Sequence, residues 1–417
     1  MINASNDADP KASRADRLAG AAAAMHRMLE RYAAPEATGP QSSGTPPTIE
    51  GVFVTDGASR AGSPPQPAAG PDWLRFVPPE VRGMVASHLP AALRDPAGQD
   101  GGGYTLPSAG LAHPFRAPAG VAVPDGARFL SETYSNPAGT RPYKLYIPSG
   151  YKGLPVPLIV MLHGCTQSPD DFAAGTRMND AAEEQTCLVV YPGQTTSANA
   201  QRCWKWFSAD DQQRGMGEPS LIAGITRQVM RDYAVDPKRV YVAGLSAGGA
   251  AAAVMGETYP DLYAAIGVHS GLACGAARDL PSALAAMKRG SGGIANGKNG
   301  SGAQRRIVPA IVFHGDRDTT VSPRNSDDVV AQSTQDARLR TQVHTGQAAG
   351  GHTYSRTVHS DATGQPTIEQ WAIHGAGHAW SGGSAAGSYT DPQGPDATGE
   401  MLRFFQEHPH PAPTQQA

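Results

Sequence analysis

One short segment of the chain has the residue types of a nucleophilic serine held on a sharp turn. The segment reads GLSAG at 244–248, with an apolar run before it at 240–243 and an alanine-rich stretch after it at 247–258. This context predicts a strand, a tight turn and a helix, because the two glycines let neighbouring backbone pass close to the serine. Such a turn would present the Ser246 hydroxyl for attack on a carbonyl carbon.

The nucleophile needs two partners from later in the chain, because a serine hydroxyl is a weak nucleophile without a base. In proteins with this turn, an acid and then a histidine follow the serine. The loop after the apolar run 311–314 holds two carboxylates, and we predict Asp318 rather than Asp316 as the acid because it lies further into the loop. Beyond the last predicted strand, His378 lies between small residues, so we predict it rather than His374 as the general base. The histidines that we expect to be structural are His163, His269, His314, His352 and His359.

Attack by a serine also requires backbone N–H groups that stabilise the developing oxyanion. One is expected from Ala247, the residue after the serine, and the other from the loop that follows the apolar run 158–162. That loop begins HGC at 163–165, and we predict the Cys165 N–H as the second donor. The alternative interpretation is a simple turn between a strand and a loop.

The aromatic loop 203–207, which reads CWKWF, allows two interpretations. Its rings either fill the core or form a hydrophobic wall over the substrate. For the second interpretation we name Trp204 and Trp206 as substrate-binding residues, together with Trp380, which lies two residues after the predicted base.

The four cysteines also leave two states open. They are either free buried thiols or include one disulfide between Cys165 and Cys203, which would hold the aromatic loop beside the predicted oxyanion donors. No CxxC pair or Cys/His ligand spacing is present, so we expect no metal site. Acyl transfer to a serine requires no organic cofactor either, so we expect none.

The elements that must position these residues begin near residue 126. We predict strands at 129–134, 143–147, 158–162, 187–191, 240–243, 264–268, 311–314 and 369–373, and helices at 177–185, 219–234, 247–258 and 396–407. Alternation of strands and helices implies a mostly parallel central sheet flanked by helices, in one catalytic domain at 126–410.

Residues 1–125 have a different texture, rich in glycine and proline. We predict an irregular, partly disordered extension with a helix at 13–35, a flexible linker at 35–71 and a second short helix at 78–93. The apolar face of the first helix would bind a granule surface or a partner, which is the non-enzymatic alternative for the function. The plain alternative is that this helix packs on its own domain.

Eight motifs, in order along the chain, resemble those of the esterases of the poly(3-hydroxybutyrate) depolymerase family. They are LHGCTQ at 162–167, GTRMN at 175–179, RCWKWF at 202–207, GEPSLIAGI at 217–225, RVYVAGLSAGGA at 239–250, VHSGL at 268–272, HGDRDTTV at 314–321 and GAGHAWSGG at 375–383. The resemblance covers roughly residues 127–408. It implies an α/β-hydrolase fold and hydrolysis of polyhydroxyalkanoates or their oligomers, with feruloyl or acetyl esters of plant material as the alternative.

Position by position, the resemblance again points to Ser246, Asp318 and His378 as the triad. It implies Cys165 and Ala247 at the oxyanion hole and favours a location of Cys203 close to Cys165. The family pattern is incomplete, because no signal peptide and no separate polymer-binding domain are recognisable.

Composition and charge exclude some classes of partner. The net charge is −3, with 34 basic and 37 acidic residues, so there is no basic footprint for nucleic acid. No apolar run reaches the roughly 20 residues that a membrane span needs. The first residues lack the apolar core of a secretory signal, so we expect a cytoplasmic location, with secretion as the alternative on family grounds.

Overall fold

A computed structural model describes residues 121–291, 307–334 and 339–411 of the chain. The helices and linker predicted within residues 1–120 lie outside these described residues. The strands of the main sheet are β1 (Arg128–Asn136), β2 (Gly139–Ile147), β3 (Val156–Leu162), β4 (Leu188–Pro192), β5 (Val235–Leu245), β6 (Ala265–His269), β7 (Ala310–Gly315), β8 (Arg340–Gln347), β9 (Thr353–Ser360) and β10 (Pro366–Ile373). Their spatial order is β1-β2-β4-β3-β5-β6-β7-β10-β9-β8.

The centre of this sheet is parallel and its two edges are antiparallel. Strands β4, β3, β5, β6, β7 and β10 pair in parallel, whereas β1 and β2 at one edge and β9 and β8 at the other pair antiparallel. In the register of the centre, Val160 of β3 lies between Val190 of β4 and Val242 of β5. The predicted mostly parallel sheet is therefore confirmed. A separate parallel pair consists of β11 (Trp380–Ser381) and β12 (Thr390–Asp391).

Helices supply the crossovers that parallel strands require. The helices of the described residues are α1 (Pro169–Thr176), α2 (Met178–Gln185), α3 (Gly217–Asp232), α4 (Ala247–Thr258), α5 (Leu280–Arg289), α6 (Arg324–Ser333) and α7 (Ala397–Glu407), the last of which follows the final strand. Helix starts are stabilised locally: the Ser168 side chain accepts the Asp171 N–H at the start of α1, and the Asp396 side chain accepts the Gly399 N–H at the start of α7. Among the described helices, none combines the length and the apolar character needed to cross a membrane.

Alternate side chains of the central strands enter two core layers, one on each face of the sheet. In β3, Leu158, Val160 and Leu162 belong to the layer covered by α3 and α4. Ile159 and Met161 belong to the opposite layer, which is covered by α1, α2 and α7. All five side chains are at most 1% exposed. This burial on both faces explains why the strand reads as a continuous apolar run.

Helix α4 is the element that places the predicted nucleophile. Its residues 247–256 are all buried, so the helix lies within the core. Its alanine and glycine side chains are small, which lets the helix pack closely against the sheet: a methyl group added at Gly256 would contact the Ile266 side chain at 3.0 Å. The buried helix fixes its own first turn at the carboxyl end of β5, beside Ser246.

Candidate active site

Ser246 occupies a strained turn between β5 and α4. Its backbone has φ 58° and ψ −120°, a conformation that residues other than glycine rarely adopt. Two backbone hydrogen bonds fix the turn: the Ser246 N–H donates to the His269 carbonyl at 2.8 Å, and the Ser246 carbonyl accepts the Ala250 N–H at 2.9 Å. Strain of this kind costs about 1–3 kcal/mol and persists only where the surrounding structure enforces it.

The glycines on either side of Ser246 are required by close backbone packing. A Cβ atom at Gly248 would overlap the carbonyl oxygen of Leu162, at the end of β3. A Cβ atom at Gly244 would overlap the carbonyl group of Gly248 and approach the Leu162 oxygen to 2.6 Å. The turn therefore lies directly against the strand that leads into the predicted oxyanion loop.

The structure brings Asp318 and His378 together. Asp318 Oδ2 lies 2.6 Å from His378 Nδ1, and the Asp318 side chain is completely buried. Asp318 Oδ1 accepts the N–H groups of Thr320 and Val321, each at 2.8 Å. Burial alone would raise the pKa of Asp318, but hydrogen bonds from His314 and His378 outweigh burial and hold that pKa well below its usual range. The carboxylate is therefore ionised and able to orient the imidazole.

The second carboxylate of this loop has a different partner. Asp316 Oδ2 lies 3.0 Å from His374 Nδ1, and its Oδ1 accepts the Gly375 N–H at 2.8 Å. These contacts join the loop after β7 to the loop after β10. The structure thus places Asp316 against His374 and Asp318 against His378.

His314 lies next to Asp318, a contact that the sequence did not indicate. Its Nε2 lies 2.9 Å from the Val321 carbonyl oxygen and 3.4 Å from Asp318 Oδ2. A carbonyl oxygen only accepts, so Nε2 carries the proton and also faces the carboxylate. The side chain is 2% exposed. His314 therefore faces the same oxygen of Asp318 as His378 does, in addition to its expected structural role.

His269 links the serine turn to the loop of the predicted base. Its backbone carbonyl accepts the Ser246 N–H, and its side-chain Nε2 accepts the Ser381 N–H at 3.0 Å. Its ring stacks between Trp380 and Phe313, with centroid distances of 5.1 and 5.7 Å. Burial lowers the pKa of His269 to about 3, so the ring stays neutral and Nε2 remains an acceptor.

Ser246 and His378 are not joined by a hydrogen bond in the described structure. With Nδ1 of His378 engaged by Asp318, Nε2 is the atom left to receive the serine proton. Catalytic hydrogen bonds are often long in unliganded enzymes and tighten once substrate is bound. The contacts of His269 hold the serine turn next to the loop that follows His378.

The residues of the two predicted oxyanion donors lie close to Ser246 in the chain or in space. Ala247 is the first residue of α4, and its N–H points out of the helix start, where the helix dipole favours negative charge. The loop of Cys165 lies against the serine, since a Cβ atom at Gly164 would be 3.7 Å from Ser246 Cβ. In the described part of the chain, neither the Ala247 nor the Cys165 N–H donates to a protein acceptor outside regular helices and strands.

A disulfide between Cys165 and Cys203 joins the oxyanion loop to the aromatic loop. Trp204 adds a second link, because its Nε1 donates to the His163 carbonyl at 3.0 Å. The Thr166 N–H donates to the Gln201 carbonyl at 2.6 Å, which makes a third. The remaining cysteines, Cys187 and Cys274, are free thiols.

The prediction that three tryptophans form a substrate wall is wrong. Trp204, Trp206 and Trp380 are 0%, 7% and 1% exposed, so they belong to the core, as the alternative interpretation of the aromatic loop held. Trp380 packs edge-on against Phe172 and donates its Nε1–H to Thr398 Oγ1 at 3.1 Å. Buried tryptophans usually find a hydrogen-bond acceptor for their N–H group in this way. Burial of the apolar ring in the core is then more favourable than its exposure to solvent.

Metal ligands are not grouped near this site. Within the described ranges, no three His, Cys, Asp or Glu side chains are arranged to hold a metal ion. The arrangement that the described residues do form is a serine, an oriented imidazole and two N–H donors at the carboxyl edge of a parallel sheet.

Comparison with known proteins places this arrangement in a family. The family model described as Esterase PHB depolymerase matches residues 141–356, which include Ser246 and Asp318. The chain belongs to this esterase family. The resemblance inferred from the motifs is therefore confirmed.

Curated relatives of this chain carry several names. Poly(3-hydroxyalkanoate) depolymerase C of Paucimonas lemoignei is 33% identical over 276 residues, covering 63% of this chain and 65% of that protein. Feruloyl esterase B of Neurospora crassa is 34% identical over 140 residues, covering 33% and 46%. Probable acetylxylan esterase A of Neosartorya fischeri is 29% identical over 206 residues, covering 46% and 54%. The match thus spans between 46% and 65% of the length of these relatives.

Among solved structures, acetyl xylan esterase from Aspergillus awamori is similar in fold to this chain. The TM-score is 0.52 at 21% sequence identity, and the match covers 67% of this chain and 99% of that one. At this identity the similarity supports the α/β-hydrolase fold and carries no information on substrate.

Proposed function

We propose that the protein hydrolyses carboxylic esters through a serine acyl-enzyme, with polyhydroxybutyrate or its oligomers as the preferred substrates. One observation carries the proposal: a buried, ionised Asp318 binds His378 Nδ1 at 2.6 Å, at the sheet edge where Ser246 sits on a strained turn. This pairing leaves His378 Nε2 to act as a base towards the serine.

In the first half of the reaction, Ser246 Oγ attacks the ester carbonyl carbon and transfers its proton to His378 Nε2. The carbonyl π electrons move onto oxygen, where the N–H groups of Cys165 and Ala247 stabilise the negative charge. When the carbonyl re-forms, the C–O bond to the alcohol breaks and His378 returns the proton to the leaving alkoxide. Asp318 stabilises the imidazolium that exists between the two transfers.

In the second half, water replaces the alcohol. His378 removes a proton from water as its oxygen attacks the acyl carbon, and the same N–H pair stabilises the second oxyanion. The bond to Ser246 Oγ then breaks, the serine regains its proton from His378, and the acid is released. Each cycle therefore consumes one water and leaves the enzyme unchanged.

Similarity to poly(3-hydroxyalkanoate) depolymerase C supports the choice of hydroxyalkanoate esters, since it has the longest match among the three relatives described above. A second candidate is hydrolysis of feruloyl or acetyl esters, which the similarity to feruloyl esterase B and acetylxylan esterase A supports.

Hydrolysis of a substrate panel by wild type and Ser246→Ala tests both levels of the proposal. The panel contains p-nitrophenyl butyrate, 3-hydroxybutyrate trimer, methyl ferulate and acetylated xylan. We expect Ser246→Ala to lose activity on every ester, whereas Ser135→Ala, an exposed serine on the edge strand β1, should match wild type. Equal activity of Ser246→Ala and wild type would reject the mechanism. A kcat/KM higher for methyl ferulate than for the trimer would favour the second candidate.

A further inference from the structure

Tyr389 spans the gap between the loop of the base and the loop of the oxyanion donors. Its backbone carbonyl accepts the Trp380 N–H at 2.7 Å, two residues beyond His378. Its hydroxyl oxygen lies 3.1 Å from Thr166 Oγ1, next to Cys165. One end of the residue is therefore bound to each loop.

The residue before Tyr389 is anchored to the same oxyanion loop. Gln167 donates its Nε2–H to the Ser388 carbonyl at 3.1 Å, while its Oε1 accepts the Gly164 N–H at 2.9 Å. The Ser388 N–H donates to Asp171 Oδ1 at 2.9 Å. The position of the tyrosine is therefore fixed by several contacts besides its own hydroxyl.

The backbone conformation of Tyr389 is unfavourable for the stability of the fold. Its φ is 52°, in the left-handed region where a bulky residue is an outlier. Thr166, the partner of its hydroxyl, has φ 67°. The tyrosine side chain is 47% exposed, so its ring gains little from the core, and a glycine would avoid the strain. Strain retained in an exposed aromatic residue that joins the loop of Cys165 to the loop of His378 points to a role in binding.

We infer that Tyr389 is a specificity-determining residue that forms the exposed aromatic wall of the substrate cleft. Its ring packs against the aliphatic chain of a hydroxyalkanoate ester held between Cys165 and His378. The apolar face of the ring suits the methyl and methylene groups of such a chain, and the Thr166 hydrogen bond holds the ring in place. This inference rests on the proposed ester hydrolysis, and it assigns to Tyr389 the role first predicted for the tryptophans.

Two substitutions separate the ring from its hydroxyl and from its backbone. Tyr389→Gly removes the ring and relieves the positive φ, so any loss reports on the side chain. Tyr389→Phe keeps the ring and removes only the Thr166 hydrogen bond. On 3-hydroxybutyrate trimer we expect Tyr389→Gly to raise KM roughly tenfold with kcat within about threefold of wild type, as for lost binding contact. Tyr389→Phe should raise KM less than about threefold, since one exposed neutral hydrogen bond is lost.

Controls distinguish failure of this inference from failure of the proposed function. Leu154→Ala, at an apolar residue that is 71% exposed and outside the site, should leave KM unchanged. If Ser246→Ala is inactive but Tyr389→Gly keeps the wild-type KM, only the inference on Tyr389 is overturned. A fall in kcat at unchanged KM would also overturn it, because that pattern indicates a disturbed triad. If Tyr389→Gly fails to fold, the dissociation constant of the trimer is measured for Ser246→Ala and for the double variant Ser246→Ala/Tyr389→Trp. Adding Tyr389→Trp should change this dissociation constant more than adding Leu154→Ala does.

Discussion

Replacing Asp318 with asparagine tests the electrostatic basis of the site. Asp318 Oδ1 accepts two backbone N–H groups at 2.8 Å, from Thr320 and Val321. Because only an oxygen can accept these bonds, the amide oxygen of Asp318→Asn will take this position. The amide nitrogen then faces His378 and donates to Nδ1. The histidine proton is consequently moved to Nε2, the atom that must receive the proton of Ser246.

The magnitude follows from this change of tautomer. A histidine with its proton on Nε2 cannot act as a base towards the serine, and the equivalent change in other serine hydrolases lowers kcat about 10⁴-fold. We therefore expect a loss of 10³–10⁴-fold in kcat, which is about 4–5.5 kcal/mol of transition-state stabilisation. The side chain is isosteric, so Asp318→Asn should still fold and melt cooperatively, and the fraction of unfolded protein at the assay temperature should be too small to account for this loss of activity.

The assay measures kcat and KM for p-nitrophenyl butyrate, with calorimetric melting of each variant. Asp316→Asn is the matched control, because Asp316 lies on the same loop but contacts His374 and is 43% exposed. An exposed pair of this kind contributes about 0–1 kcal/mol, so the control should lose less than about tenfold in kcat. The reasoning is refuted if Asp318→Asn keeps more than a tenth of the wild-type kcat, or if Asp316→Asn is the more damaging change.

Three further predictions follow from the same contacts. Cys203→Ser removes the disulfide that closes a separation of 38 residues, which should lower stability by about 4 kcal/mol on the loop-entropy account; a loss below 1 kcal/mol in urea unfolding would contradict it. Gly248→Ala forces a methyl group against the Leu162 carbonyl, so it should cost about 2 kcal/mol or more and reduce kcat; wild-type melting and kcat would contradict the packing. Because its folded-state pKa is lowered, Asp318 contributes stability above its unfolded pKa near 3.9 that is lost as pH falls towards the lower folded value. The difference in unfolding free energy between wild type and Asp318→Asn should therefore shrink from pH 6 to pH 3, and a constant difference would contradict it.

The centre of the fold could be predicted because burial on both faces leaves a plain signal. The apolar run at 158–162 and the helix at 247–258 agree closely with β3 and α4. At the edge of the sheet formed by β9 and β8, the sequence has no such apolar run. Strand β8 reads RTQVHTGQ and is mostly exposed, so its strand pairing depends on β9 rather than on its own apolar pattern. Neither β8 nor β9 is among the strands predicted from the sequence.

Candidate triad residues could be named from the sequence because strand ends and small neighbours restrict where such residues lie. The supporting contacts could not be predicted, since they depend on distances between remote segments. His269 and His314 each end or nearly end a buried strand, which was the available signal for a position at the catalytic edge. Tyr389 had no such signal, because its significance arises from a positive φ and a contact across 223 positions of sequence.

A structure of the covalent adduct with a p-nitrophenyl alkylphosphonate tests the central claim most directly, because the phosphonyl group mimics the tetrahedral intermediate on the serine. We predict phosphorus bonded to Ser246 Oγ after loss of p-nitrophenolate, with His378 Nε2 about 2.6–3.2 Å from Ser246 Oγ. The phosphonyl oxygen should lie about 2.7–3.1 Å from the N–H groups of Cys165 and Ala247. An adduct on another residue, or a His378 ring turned away from Ser246 with Asp318 still bound to it, would contradict the account.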